Sequence, residues 1–330
     1  MPRITLAVLA YRQQDFVEAA VLSALGQVCE PIEILLSDDA SPDDTFARMQ
    51  ALASAYAGPH QVVARRNPVN LGLGAHINEI VRVSSGQLLV MMAADDLSTP
   101  DRVRRTAAAW DASHQRLDLI ASHVIDMSFD GRQLGKIKVD DLSAWPDVAT
   151  WARRRPYVVG AGQAFTRRLF DRFGPLRDGV VQEDQVNTLR AIGSGGACTI
   201  DAPLVHYRRG GMSGAAVDAS PGAFLARMRR RNALHLALHE QWLADARLLG
   251  CEDLVAAGFR HEHDRELFIQ RQLSANTWPS RWRAVVETPV LPLSWRLRRA
   301  AYLGVPQLAL ANQSARASLA RLRNGLGFSG

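Results

Sequence analysis

Lysine is almost missing from this chain: two residues, Lys136 and Lys138, among 330. Its positive charge is carried by arginine instead, and so uniform a cation set reflects coding bias as much as function. The formal net charge of +6 therefore does not by itself argue for a nucleic-acid partner. Cysteine is scarce as well. Cys29, Cys198 and Cys251 are odd in number and far apart, with no CxxC or metal-ligand spacing, which argues against a disulfide framework and favours a reducing compartment. No apolar run approaches the ~18 residues that a membrane-spanning helix needs. The first apolar stretch, Ile4–Leu9, is too short for a secretory signal and reads as a strand. There is no internal repeat and no long low-complexity tract. These absences lead to the expectation of a cytoplasmic globular protein.

What is present is an alternation of strand and helix signals. The apolar runs Ile4–Leu9, Ile32–Leu36, Gln61–Ala64, Leu88–Met92 and Leu119–Asp126 read as strands. Helical patterns over Phe16–Leu25, Asp43–Ala57, Leu73–Val83 and Arg102–Ser113 separate them. This order predicts an α/β fold with a mostly parallel sheet covered by helices on both faces. After residue 130 the pattern is mixed, with turns at Phe129-Asp130-Gly131 and Arg172-Phe173-Gly174-Pro175. Residues 222–272 read as mainly helical, and a last helical pattern falls near Ala315–Leu326. The chain is large enough for one big domain and an appendage, here residues 1–215 and a basic, helical extension over 216–330.

Two of the strand runs end abruptly in acids, Ser37-Asp38-Asp39 and Ala94-Asp95-Asp96. An unpaired carboxylate is too costly inside a buried strand. Both pairs therefore belong at the strands' carboxyl ends, where an open α/β sheet binds ligands. Neither run is followed by GxGxxG or GxxxxGK[ST], which counts against the usual dinucleotide fold and against a P-loop ATPase. Paired hard oxygen donors suit a divalent cation on a phosphate-bearing substrate. The plainer alternative is helix capping by the same acids. Asn70-Leu71-Gly72-Leu73-Gly74 is a permissive loop opening a helix, more often a turn than a ligand site.

In their order and spacing these segments resemble the family 2 glycosyltransferases of the GT-A fold over roughly residues 3–215. The resemblance takes in Tyr11, "ILLSDDASPDD" (Ile34–Asp44), Asn70-Leu71-Gly72, Asn78, Ser85-Gly86 and "MMAADD" (Met91–Asp96). It continues through Gly160–Gly174, Glu183-Asp184 with Leu189-Arg190, and Tyr207–Ser213. It implies a nucleoside-diphosphate-sugar transferase working by single displacement with inversion. Asp38 would bond the nucleobase edge with Asp39 beside it, and Tyr11, Asn70, Asn78 and Ala94 would complete the nucleotide site. Asp95 would hold Mn2+ or Mg2+ on the diphosphate, helped by Asp96, with His206 a further ligand candidate. Asp184 would be the general base, supported by Glu183 and Arg190. Ala93 replaces the first acid of the family's DxD, which leaves more of the metal's shell to water and diphosphate. Structural roles compete at several positions: helix-dipole interaction for Glu183-Asp184, packing for Asn78, Tyr11 and His206.

The resemblance also implies UDP as the commonest nucleotide and a saccharide or lipid-linked acceptor in bacterial surface-polysaccharide assembly. The rival readings are a degenerate nucleotide-sugar binding module and a sugar-nucleotide nucleotidyltransferase. The latter's Gly-rich basic signature is missing from Ala10–Gln14. Residues 268–330 hold nine arginines and one acid, Glu287. Trp278, Trp282 and Trp295 lie among them, close to Arg296, Arg298 and Arg299. Such a surface suits peripheral contact with the inner face of the cell membrane; the alternative is packing on the catalytic domain or on a second subunit, as in a homodimer. Nucleic acid is not expected as a partner.

Overall fold

A computed structural model describes residues 3–209 and 220–312. The helical pattern at 315–326 and the 210–213 part of the closing motif lie outside the described residues.

The chain begins β1 (Ile4–Ala10), α1 (Val17–Leu25), β2 (Glu33–Asp38), α2 (Thr45–Ala55), β3 (Gln61–Arg66), α3 (Leu73–Val83) and β4 (Leu88–Ala93). A short β5 (Leu97–Ser98), α4 (Arg102–Ala112), β6 (Leu119–Met127), β7 (Gln133–Ile137) and α5 (Val148–Arg153) follow. A 3-10 turn at Gly160–Gly162 leads into β8 (Gln163–Thr166), then α6 (Arg168–Phe173), α7 (Glu183–Ile192) and β9 (Ala197–Arg208). The remainder is helical: α8 (Pro221–Leu248), α9 (Glu252–Ser274), α10 (Trp278–Val286) and α11 (Leu293–Gly304).

The described strands form one sheet in the order β3-β2-β1-β4-β8-β6-β9-β5, with β7 on β6. β3, β2, β1 and β4 are mutually parallel, as the βαβα alternation predicts. β8 departs from that pattern. It runs antiparallel to both β4 and β6, so the sheet is mixed rather than parallel throughout. β6 and β9 are parallel again. The central strands read as near-continuous apolar runs because both their faces are covered. Leu6, Val8, Ile34, Leu36, Val90 and Met92 pack with Val17 and Val21 of α1 and Val103 and Trp110 of α4. The three cysteines are free; burial, reinforced by Asp141, pushes the Cys198 thiol up to about 11 and makes it a poor nucleophile.

Two compact units emerge: residues up to 209 together with 240–258, and 220–239 together with 259–312. The first thus takes in a second stretch of chain beyond the sequence boundary near 215, for a definite reason. Arg190 of α7 is fully buried and makes a two-pronged bond to Asp245, with Nε–Oδ2 at 2.7 Å and Nη2–Oδ1 at 3.1 Å. Its guanidinium also lies 5.5 and 5.4 Å from the Phe170 and Phe173 rings. Trp242 meets Trp151 edge to face at 5.2 Å. In the second unit, Phe224, Met228, Ile269 and Leu303 form one apolar cluster, and Phe268, Val285, Leu291 and Ala300 another. Among the described residues no helix is long and apolar enough to cross a membrane.

A buried ion pair that loses one partner leaves an uncompensated charge. Asp245→Ala is therefore expected to cost the fold about 3–5 kcal/mol, read as a lowered urea midpoint.

Candidate active site

β2 ends at Asp38 and β4 at Ala93, each parallel to β1 between them. Their carboxyl ends open on one edge of the sheet, two strand spacings or about 10 Å apart. The turns leaving this edge use uncommon backbone. Arg12 after β1 (φ 55°) and Ala40 after β2 (φ 59°) are both left-handed, at a cost on the order of 1 kcal/mol each for a residue with a side chain. Side chains hold the two turns together. Ser41 Oγ accepts the Arg12 N–H at 2.9 Å, Thr45 Oγ1 the Gln13 N–H at 2.9 Å, and Asp38 Oδ2 the Ser41 N–H at 2.9 Å.

The two acids at the carboxyl end of β2 do different work. Asp39 is saturated: its carboxylate accepts from Asn67 Nδ2 (2.7 Å), Asn70 Nδ2 (3.1 Å), Leu71 N (2.9 Å) and Gly72 N (2.9 Å). It organises the 67–72 loop, whose Gly72 (φ 79°) needs the freedom of glycine. Asn70 is thereby turned onto Asp39. Asp38 is fully buried yet its Oδ1 has no hydrogen-bond partner among the described residues, while its Oδ2 lies 3.4 Å from Arg66 Nε. Behind them His76 Nε2 is 2.8 Å from Ser37 Oγ. Burial, against the pull of Asp39, pushes His76 down to about 4, so it is neutral at pH 7.

Asp95 and Asp96 sit in the turn between β4 and β5. Asp96 Oδ1 accepts the Arg208 N–H at 2.8 Å, and the Asp95 carbonyl accepts Arg208 Nε at 2.9 Å. Asp96 Oδ2 is buried and has no hydrogen-bond partner among the described residues. Burial raises both carboxyls, and the neighbouring Asp95 helps push Asp96 up to about 7. Arg102, the first residue of α4, is buried on the same side. Its guanidinium donates to the carbonyls of Met91 and Ala161 at 2.7 Å each and to Ser98 Oγ at 3.1 Å, and its charge acts on Asp96.

Through Ala161 the arginine reaches the third acidic pair. The 3-10 turn at Gly160–Gly162 runs under the first turn of α7, and Gln163 Nε2 donates to the Asp184 carbonyl at 3.3 Å. A Cβ on Gly160 would stand 2.8 Å from Glu183 Oε1, so glycine is what lets the carboxyl lie there. Burial raises both acids, Glu183 to about 8 with the help of Asp184, and Asp184 to about 6. Adjacent carboxyls that both resist ionisation share roughly one charge near neutral pH.

The remaining expected site residues scatter. Tyr11 directly follows β1 on the site's edge, 37% exposed, with the Arg12 guanidinium 5.5 Å from its ring. Ala94 is buried, its N–H bonded to the Leu9 carbonyl at 2.9 Å. Asn78 spends both amide atoms on the Leu176 backbone at 2.8 Å each, and Arg190 is held in the core by Asp245. His206 lies on β9 in register with Leu97, half-buried, its pKa lowered by burial. Among the described residues no three His, Cys, Asp or Glu side chains converge as a metal cage. Arg102 is the residue that sequence reasoning passed over; Gly160 and Arg208 lay inside the segments that carry the resemblance but had no role of their own.

Comparison with known proteins agrees with the fold. Residues 5–170, half of the chain, match the family model described as glycosyl transferase family 2, and the chain belongs to that family. The succinoglycan biosynthesis protein ExoO of Rhizobium meliloti (strain 1021) is 28% identical over 230 residues, 64% of this chain and 63% of that protein. The Escherichia coli UDP-Glc:alpha-D-GlcNAc-diphosphoundecaprenol beta-1,3-glucosyltransferase WfaP is 26% identical over 96 residues, 29% of this chain and 36% of that protein. The chain thus spans less than two thirds of either relative. Two solved structures share the fold. Residues 1–349 of S. aureus TarS, in complex with UDP-GlcNAc, superpose with a TM-score of 0.52 at 16% identity, covering 91% of this chain and 89% of that one. The mannosyltransferase PcManGT of Pyrobaculum calidifontis, in complex with GDP-Man and Mn2+, gives 0.52 at 19% identity, with coverages of 94% and 86%. The family match ends before Glu183 and Asp184, so their placement rests on the turn at Gly160–Gly162.

The raised carboxyls bear on stability with a definite sign. In the unfolded chain both titrate near 4; the folded chain holds its protons to higher pH, so their contribution is complete below about pH 4 and is lost as pH rises from there through about 6 for Asp184 and about 8 for Glu183. Glu183→Gln should therefore lose less stability than the wild type as pH rises from 5 to 9, read from urea titrations at each pH.

Proposed function

We propose that this chain is an inverting glycosyltransferase that moves a sugar from a nucleoside diphosphate to a hydroxyl of a saccharide or lipid-linked acceptor. The observation that carries the reading is the linkage of two acidic pairs through one buried arginine. Asp95-Asp96 stand at the end of β4, Glu183-Asp184 above the turn before β8, and Arg102 binds the backbone on both sides.

In this reading Asp38, with an unpartnered oxygen at the end of β2, recognises the nucleobase edge. Asp39 acts behind it by holding the 67–72 loop. Asp184, poised near neutrality, accepts the proton of the acceptor hydroxyl as that oxygen bonds to the anomeric carbon. The bond from the same carbon to the diphosphate oxygen breaks on the opposite face, so configuration inverts. Glu183, raised further, stays protonated at pH 7 and leaves the charge on its neighbour.

The donor set fits a hard divalent ion. Asp95 and Asp96 offer carboxylate oxygens, one buried and unpartnered, with His206 on the adjoining strand. Without a third protein carboxylate, the rest of the shell falls to the diphosphate and water, as Mg2+ and Mn2+ tolerate. Bound there, the ion would stabilise negative charge on the leaving diphosphate. UDP is the favoured nucleotide: TarS is in complex with UDP-GlcNAc and WfaP is named for UDP-Glc, while the GDP-Man of PcManGT keeps the alternative in view. The names of ExoO and WfaP point to assembly of a bacterial surface polysaccharide.

A thermal-shift panel of UDP, GDP and dTDP with Mn2+ or with EDTA tests the donor site. One nucleotide should raise the melting temperature only with metal, and Asp95→Asn should abolish the shift; no shift with any nucleotide at millimolar concentration sinks the reading. Once a donor is found, Asp184→Asn should retain that shift and lose turnover by roughly 10²–10⁴-fold, the range for removal of a general base.

A further inference from the structure

The second unit turns an apolar ridge outward. In α10, Trp278, Trp282 and Val286 are 64%, 59% and 59% exposed. They are spaced by four residues and fall within about 80° of one another around the helix. In α11, Leu293 and Leu297 repeat that spacing at 54% and 41% exposure, and Val290 between the helices is 60% exposed. The opposite faces are fully used. Val285, Leu291 and Ala300 pack with Phe268, and the buried Arg296 donates to the Val285 carbonyl. The Trp278 ring lies near Gly304, where an added Cβ would be 3.3 Å from its edge, so the start of α10 meets the end of α11 and the helices form a hairpin. Sequence alone placed Trp295, Arg296 and Arg299 on this surface. In the structure Trp295 packs 5.5 Å from Phe268, Arg296 is buried, and Arg299 is half-buried with its guanidinium 5.5 Å from the Trp295 ring.

Charge selects the occupant. Residues 275–312 carry five arginines and one acid, and residues 313–330 add three arginines and none. Arg283 and Arg298 are exposed and follow Trp282 and Leu297 directly, about 100° further round their helices. Tryptophan and aliphatic side chains on one stripe, with arginine on its flank, let apolar groups enter a bilayer while the cations remain among anionic headgroups. A second copy of the chain would bring the same cations face to face in a two-fold interface. We propose that the α10–α11 hairpin is a docking surface for an anionic lipid bilayer, entered by Trp278, Trp282, Val286, Val290, Leu293 and Leu297.

The full chain is floated with vesicles of phosphatidylglycerol and phosphatidylethanolamine, and separately with phosphatidylcholine. Binding to the anionic vesicles, weakened in about 0.5 M NaCl, is expected. The double variant Trp282→Ser, Leu297→Ser removes only exposed side chains and should keep the wild-type melting temperature while its vesicle binding falls roughly tenfold. Arg283→Glu with Arg298→Glu should lose binding to anionic vesicles while keeping the fold. No flotation of the wild type at low salt overturns the proposal, as does undiminished flotation of the serine variant. Light scattering that shows a concentration-dependent dimer, dissolved by the serine variant, assigns the ridge to a second copy and equally overturns it.

Discussion

A fully buried guanidinium holds the candidate site together. Arg102 has no exposed face; it ties the carbonyl of Met91 in β4 to that of Ala161 before β8 and faces the charge of Asp96. Desolvating an arginine costs several kcal/mol unless nearly every donor is used and an opposing charge lies near. Here those demands are met by the atoms that must stay in register: the strand that delivers Asp95 and Asp96, and the turn that supports Glu183 and Asp184. Burial pushes Arg102 down to about 10, still far above neutrality, so its positive charge persists and opposes part of the upward drift of Asp96.

Around this centre the acids divide their labour by environment. Asp39, with four donors on its two oxygens, is a structural ion that shapes a loop. Among the described residues, Asp38 and Asp96 each retain an oxygen without a hydrogen-bond partner. A buried acceptor in that condition is a standing cost, of order 1–3 kcal/mol, which a bound ligand would relieve. The left-handed backbone at Arg12 and Ala40 carries a similar cost on the same edge.

Much of this was legible in the sequence. The apolar runs that became β1 to β4 announced a buried sheet, and the acids at their ends could only lie at its edge, because the strand interiors tolerate no charge. What escaped depends on distant contacts. Arg102 reads as an ordinary charged residue in the first turn of a helix, and nothing local says that Met91 and Ala161 will close over it. Asn78 suits a ligand or a clamp equally well until Leu176 is seen to take both its amide atoms. Arg190 follows an acidic pair and invites a catalytic role, but its partner, Asp245, is 55 residues away. The reversal of β8 left no periodic signal either, since a four-residue strand is too short to carry one.

That reversal has a consequence for how the molecule can vary. Because β8 is antiparallel to β4, its amino end meets the carboxyl ends of β1, β2 and β4, and the connection entering it from α5 arrives at the site. Its carboxyl end lies at the other edge, where Arg167 is bonded to the carbonyls of Val81, Ser84 and Gly86. Insertions or substitutions between α5 and the Gly160 turn can remodel the ground over Glu183 and Asp184 without shifting a strand. The same changes just after β8 would strike a knot of main-chain bonds. Sequence change on that edge is thereby uncoupled from the pairing of β1, β2 and β4.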